Sequence, residues 1–185
     1  KLETAYGYRW REHFGRDQLA LALEELRNNP TNRQLYISAW DPARDGLGGH
    51  QPKNIPCPVG FSLTRVEDTL HCSVFIRSSD VFVGLPYDIM GYALTTDAIA
   101  ASVGCTPGSL HVTLAHPHYY DLHTGAIADC VLGDRRSWDV DVEPALPRWS
   151  VETILEDLDG YLEHVSELSG HVNYNPWNPM PKLVL

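Results

Sequence analysis

The sequence has no clustered run of lysine or arginine. Fourteen basic residues stand against 24 acidic ones over 185 positions, a formal net charge of -10. Binding along a nucleic-acid backbone needs clustered cations, so nucleic acid is not expected as a partner. Two or three placed arginines still suffice for one small phosphate. No apolar run approaches the roughly 20 residues that span a bilayer, so no membrane partner is expected either. Cysteine is sparse. Cys57, Cys72, Cys105 and Cys130 form no C-x-x-C pair and no Cys/His group at zinc spacing, which argues against a metal centre or a disulfide framework. Nothing at Lys1-Leu2-Glu3-Thr4 resembles a secretion signal, and an initiating methionine is missing. These absences point to a cytoplasmic protein whose sequence begins partway through a longer product. At 43% apolar residues the chain can bury one sizeable core, so residues 1–185 read as a single domain.

What is present is a mixture of helical and strand periodicities. Leu19, Ala22, Leu23 and Leu26 recur at helical spacing within Asp17 to Asn29, and Pro30 stops the run. Leu35 to Trp40 reads as a strand, followed by an aperiodic loop from Asp41 to Pro56. Two alternating stretches follow, Val59-x-Phe61-x-Leu63 and Leu70-x-Cys72-x-Val74-x-Ile76, with Glu67-Asp68-Thr69 as a hairpin turn between them. Pro86 suits the first turn of a helix reaching about Val103. A strand over Leu110 to Leu114, a helix from about Asp121 to Leu132, a short strand near Trp138 to Val142 and a helix from Val151 to Leu168 complete the ordered part. Ser150 caps the last helix, and Tyr174 to Leu185 forms an extended tail. No strict βαβ alternation appears, so the expected class is α+β, a mixed sheet packed with helices.

Singly, the polar residues of interest are unremarkable. A cysteine after proline is more often a small hydrophobe than a nucleophile, and Arg33, Arg77, Asp80 and Asp88 all have ordinary surface or capping explanations. Their order is more informative. Tyr6-Gly7-x-x-Trp10-Arg11, Asn32-Arg33, Ser38-Ala39-Trp40-Asp41, Pro56-Cys57, Arg77-Ser78-x-Asp80-Val81-Phe82-x-Gly84-Leu85-Pro86-Tyr87-Asp88-Ile89, Tyr92-Ala93-Leu94 and His118-x-Tyr120-x-x-His123 resemble the thymidylate synthase family, including its hydroxymethylase branch. The resemblance runs from about Tyr6 to His123, with Tyr174-x-Pro176 like the family's tail.

The resemblance implies a thymidylate-synthase-like sheet that forms a homodimer interface, and covalent chemistry at Cys57. In that family the cysteine thiolate attacks C6 of a pyrimidine nucleoside monophosphate, and C5 then takes a one-carbon unit from 5,10-methylenetetrahydrofolate. A thiolate is needed because a thiol is a poor nucleophile. By the same resemblance Arg77 and Ser78 bind the nucleotide phosphate, and Arg77 lowers the thiol pKa. Arg33 reaches the phosphate of the neighbouring subunit. His118 and Tyr120 hold the sugar 3′-hydroxyl, Asp80 binds the folate pterin, Gly84 and Tyr87 line the folate cleft, and Tyr6 orders the site's hydrogen bonds.

Several residues depart from the family pattern. Thymidylate synthases carry Asn at the Asp88 position, where an amide donates to uracil O4 and accepts from N3–H. An ionised aspartate only accepts, so facing uracil it opposes one buried acceptor with another, at a cost of about 1–3 kcal/mol. Cytosine offers N4–H2, and N3–H once protonated, and the family's cytidylate hydroxymethylases carry aspartate here. Pro58 stands where the family usually has His, Gln34 replaces one of two adjacent arginines, and His116 stands where Asp is usual. The family's N-terminal third has no counterpart in these 185 residues. The expected reaction is therefore folate-dependent hydroxymethylation of dCMP by a bacteriophage-type enzyme. C5 methylation of dCMP or dUMP, or an inactive nucleotide-binding homologue, are the alternatives.

Overall fold

The computed structural model describes residues 3–48, 55–132 and 149–163. The chain begins with a single helical turn, α1 (Tyr6–Tyr8), that widens into a π-helical turn over Arg9–His13. The sequence carries no periodic signal for this segment. It is held by Arg9, whose guanidinium forms a bidentate pair with Asp45 at 2.9 and 3.0 Å, both side chains being almost wholly buried. Helix α2 (Gln18–Asn28) follows as expected. Asp17 caps it by accepting the Ala20 amide at 3.0 Å, and Ala22, Leu23 and Leu26 face the core.

Strand β1 (Tyr36–Ser38) is shorter than the expected Leu35 to Trp40, because the amides of Ala39 and Trp40 both turn to the Val59 carbonyl. Strands β2 (Pro58–Val66) and β3 (Thr69–Ile76) form the expected hairpin, with Glu67 at a φ of 53° in its two-residue loop. The alternation also holds. Phe61, Leu63, Leu70, Cys72, Val74 and Ile76 are each no more than 2% exposed, and Ser73 and Phe75 face outward.

A two-residue strand, β4 (Ser79–Asp80), leads into α3 (Gly84–Ser102), with Pro86 in its first turn. Gly104 ends this helix at a φ of +70°. Cys105 donates to the Ala100 carbonyl and Gly104 to that of Ala101, the paired closure of a left-handed C-cap. Strand β5 (Thr106–Leu114) starts four residues earlier than expected. Pro107-Gly108 breaks the pattern in sequence, but a bulge opposite Leu70 and Cys72 absorbs the irregularity. Strand β6 (Pro117–His118) pairs with β4. A 3₁₀ turn (Asp121–His123) and α4 (Thr124–Leu132) follow, then α5 (Val151–Glu156), capped by Ser150 as expected. The last helix is not continuous, since Asp157 leaves helical geometry before 158–163 resume it. The expected strand near Trp138 and the tail from Tyr174 lie outside the described residues.

The main sheet has the order β1-β2-β3-β5. It is antiparallel except for β3 and β5, which α3 joins as parallel neighbours. This is the α+β, mixed-sheet architecture expected from the sequence. The topology gathers five parts of the chain at one end of the sheet. Pro58 pairs with Ile76, Ser38 with Gly60 and Ile76 with Leu114. Cys57, Arg77, Trp40, the His116–Tyr120 segment and the N-terminus of α3 therefore emerge side by side. Among the described residues no helix is long and apolar enough to cross a membrane.

Candidate active site

Cys57 is half-buried immediately before β2 and is a free thiol. Arg77, at the end of β3, binds the three residues that lead up to and include it. Its backbone amide donates to the Cys57 carbonyl at 3.0 Å, its Nε to the Pro56 carbonyl at 3.0 Å and its Nη2 to the Ile55 carbonyl at 3.1 Å. Its guanidinium also lies over the Trp40 ring, 5.4 Å from the centroid. Two of its five N–H donors are thus used among the described residues, and three remain.

The thiol's electrostatics differ in part from expectation. Burial pushes the Cys57 thiol above its ordinary value. Arg77 pulls it down, as expected, but Asp88 pushes it further up, so the net direction is upward. The arginine alone does not make a thiolate. Asp88 lies in the second turn of α3 and is half-buried. Burial raises its carboxyl, opposed by a hydrogen bond from Tyr6. Tyr6 is in turn raised by burial and then by Asp88 and Cys57, which keeps it a neutral donor. Cys57, Arg77, Asp88 and Tyr6 therefore form one interacting group.

Asp80 lies on β4. Its Oδ1 accepts the amides of Phe82 and Val83 at 3.1 and 3.3 Å, which orients the carboxylate at the entrance to α3. Its Oδ2 is buried and has no hydrogen-bond partner. Gly84 and the exposed Tyr87 follow on the first turn of α3. His118 pairs with Asp80 across the small sheet, and its ring meets Tyr120 edge-on at 5.4 Å. Ser78 is half-buried beside Arg77. Arg33 is not brought to this group within the chain. It is exposed just before β1, and β1 runs antiparallel to β2, so Arg33 lies toward the end of the sheet away from Cys57.

Some neighbours had no role assigned from sequence. Trp40 was visible only as part of a Ser-Ala-Trp-Asp string. Tyr92, on α3, is 3% exposed and has a buried, unpartnered hydroxyl that interacts with Tyr6 and Asp88. Its i+4 spacing from Asp88 was the available signal.

A half-buried thiol beside an arginine, with a carboxyl and a tyrosine interacting with it, is a set of groups able to support nucleophilic chemistry. The family model of thymidylate synthase matches residues 1–185, and the chain belongs to that family. Its members transfer a one-carbon unit from methylenetetrahydrofolate to C5 of a pyrimidine nucleotide, and on this basis the chain is a one-carbon transferase.

Proposed function

We propose that the protein hydroxymethylates dCMP at C5, and the observation that carries this reading is the environment of Asp88. Burial raises its carboxyl above the ordinary value, opposed by the hydrogen bond from Tyr6, so it holds a proton more readily than an exposed aspartate. Protonated, it donates to cytosine N3 and accepts from N4–H2; ionised, it accepts from N4–H2 and from a protonated N3, whereas facing uracil the ionised carboxylate sets an acceptor against O4. As Cys57 Sγ bonds to C6, the ring electrons move toward N3, and N3 takes the Asp88 proton. The same transfer leaves Asp88 an acceptor for both N–H bonds of the neutral, N3-protonated adduct, a gain made mainly in the transition state. While protonated, Asp88 also ceases to push the thiol up, so base binding favours the thiolate.

The folate supplies a methylene at the oxidation level of formaldehyde. Asp80 fits the pterin, since its buried Oδ2 lacks a partner and a pterin presents N–H donors. Gly84 and Tyr87 line the same cleft. The three free N–H donors of Arg77, with Ser78, take the nucleotide phosphate, and His118 and Tyr120 take the sugar hydroxyl. The product keeps a hydroxymethyl group if water completes the reaction, and a methyl group if hydride does.

We also propose a homodimer. The outer face of the sheet exposes Tyr36 and Phe75 at 51% and 43%, and Arg33 lies away from its own chain's Cys57. Mixing Cys57→Ser with Arg33→Ala chains should then restore activity that neither variant has alone. Tritium release from [5-³H]dCMP and [5-³H]dUMP, with and without folate, tests the base. Release from dCMP is expected, and release from dUMP alone would refute the role of Asp88. Mass analysis of the product separates hydroxymethyl from methyl.

A further inference from the structure

The group at Cys57 rests on a platform that the family reaction does not require by its chemistry. Arg77 reaches across the chain to three consecutive carbonyls, those of Ile55, Pro56 and Cys57, and only its side chain holds the first two. A guanidinium on a flexible stem loses much rotamer freedom to hold such a position. Here one face of it is covered by Trp40 at 5.4 Å. Trp40 is itself seated on Gly46. A Cβ at Gly46 would meet Trp40 Cζ2 at 2.8 Å and Cη2 at 3.0 Å, and the residue has a φ of +73°, so a side chain is excluded both by the ring and by the backbone. Gly46 adjoins Asp45, whose carboxylate is locked to buried Arg9. The loop under the tryptophan is therefore anchored.

We propose that Trp40, seated on Gly46, is a positioning residue that holds the Arg77 guanidinium across the Ile55 and Pro56 carbonyls and thereby sets the reactivity of Cys57 Sγ. This rests on Cys57 being the nucleophile, but not on which base it attacks. The groups facing the thiol are Arg77 from the end of β3, Asp88 from α3 and Tyr6 from α1. Tyr6 stays neutral, and Arg77 alone lowers the thiol. If the guanidinium loses its platform and turns to solvent, burial and Asp88 act unopposed.

The experiment is the pH dependence of Cys57 alkylation by iodoacetamide in the full 185-residue chain without nucleotide. Labelling is read at the Cys57 peptide by mass spectrometry, so that exposed Cys130 does not contribute. Trp40→Leu should move the alkylation midpoint up by about one pH unit and slow labelling at pH 7 about tenfold. Trp40→Phe, which keeps a π face, should stay within about threefold of the parent. In an Arg77→Lys background, which lacks the planar fork, Trp40→Leu should have no further effect. Should Trp40→Leu fail to fold, Trp40→Met serves in the same two backgrounds. An unchanged midpoint in a folded Trp40→Leu or Trp40→Met chain overturns the proposal, and so does an equal shift with Lys at position 77. Because no nucleotide is present, a failure of the cytosine reading in the tritium assay leaves this result standing, and the reverse also holds.

Discussion

Two groups of buried polar side chains are completed in different ways. The Arg9–Asp45 ion pair is saturated, although Trp10 Nε1 beside it is buried without a partner among the described residues. The Arg9 Nε donates to the Glu3 carbonyl at 2.8 Å, its two Nη atoms grip Asp45, and Asp45 also accepts the Asp41 amide. Asp41 meets His13 at 2.7 Å. Burial works against the Asp41 charge, but the bonds from His13 and the Ala43 amide outweigh it and hold the carboxyl below its ordinary value. At the Cys57 end, in contrast, Asp80 Oδ2, Ser79 Oγ and Tyr92 Oη are buried without hydrogen-bond partners among the described residues. Each such atom costs on the order of 1–3 kcal/mol. The ion pair at Arg9 is closed by its own partners, and the Cys57 end leaves polar atoms open. Both ring nitrogens of His123, like Trp10 Nε1, are also buried without partners among the described residues, so such atoms accompany the Cys57 end without defining it.

The contrast is best broken first at the nucleophile. Cys57→Ser should lower tritium release by about a thousandfold or more while leaving the melting temperature nearly unchanged, because the thiol contributes little packing. Asp45→Ala should do the reverse. It leaves buried Arg9 unpaired, at a cost of about 3–5 kcal/mol, seen as a fall in Tm on the order of 10 °C.

Asp88→Asn tests the open group more finely. Below the ordinary carboxylate range Asp88 is protonated in the folded and unfolded chain alike. As pH rises the unfolded chain ionises first, and stability is lost until pH passes the raised folded value. The asparagine variant should therefore melt higher than the parent at pH 7 and match it near pH 3. Its activity should move from dCMP toward dUMP. The smallest effect is expected at Glu152, held down to about 2 mainly by its hydrogen bond from Arg27. Both side chains are nearly half exposed, so Glu152→Gln should cost less than about 1 kcal/mol, and the difference should shrink in high salt.

Legibility in the sequence tracked the range of the interaction. The hairpin and the two long helices α2 and α3 were readable because alternation, helical spacing, a capping Asp17 and a first-turn Pro86 are local signals. The start of β5 was not, because Pro107-Gly108 looks like a break until the β3 ladder is seen to accept it. The turn at Tyr6–His13 was hidden for the same reason, since an arginine and an aspartate 36 positions apart hold it. At the site, Cys57, Arg77, Asp80 and Asp88 were all nameable from their order. The upward direction of the thiol was not, since burial and the nearness of Asp88 are properties of packing.

By itself the sequence determined the class of fold, the family pattern and the residues able to do the chemistry, because periodicity and motif order are written along the chain. Only the tertiary structure decided that Arg77 clamps Ile55, Pro56 and Cys57 over Trp40, that Asp88 is raised by burial and bonded to Tyr6, and that Arg33 lies at the far end of the sheet. Each of those depends on distances between segments that strand pairing and helix packing establish, and desolvation and Coulomb energies follow distance in space rather than separation in sequence.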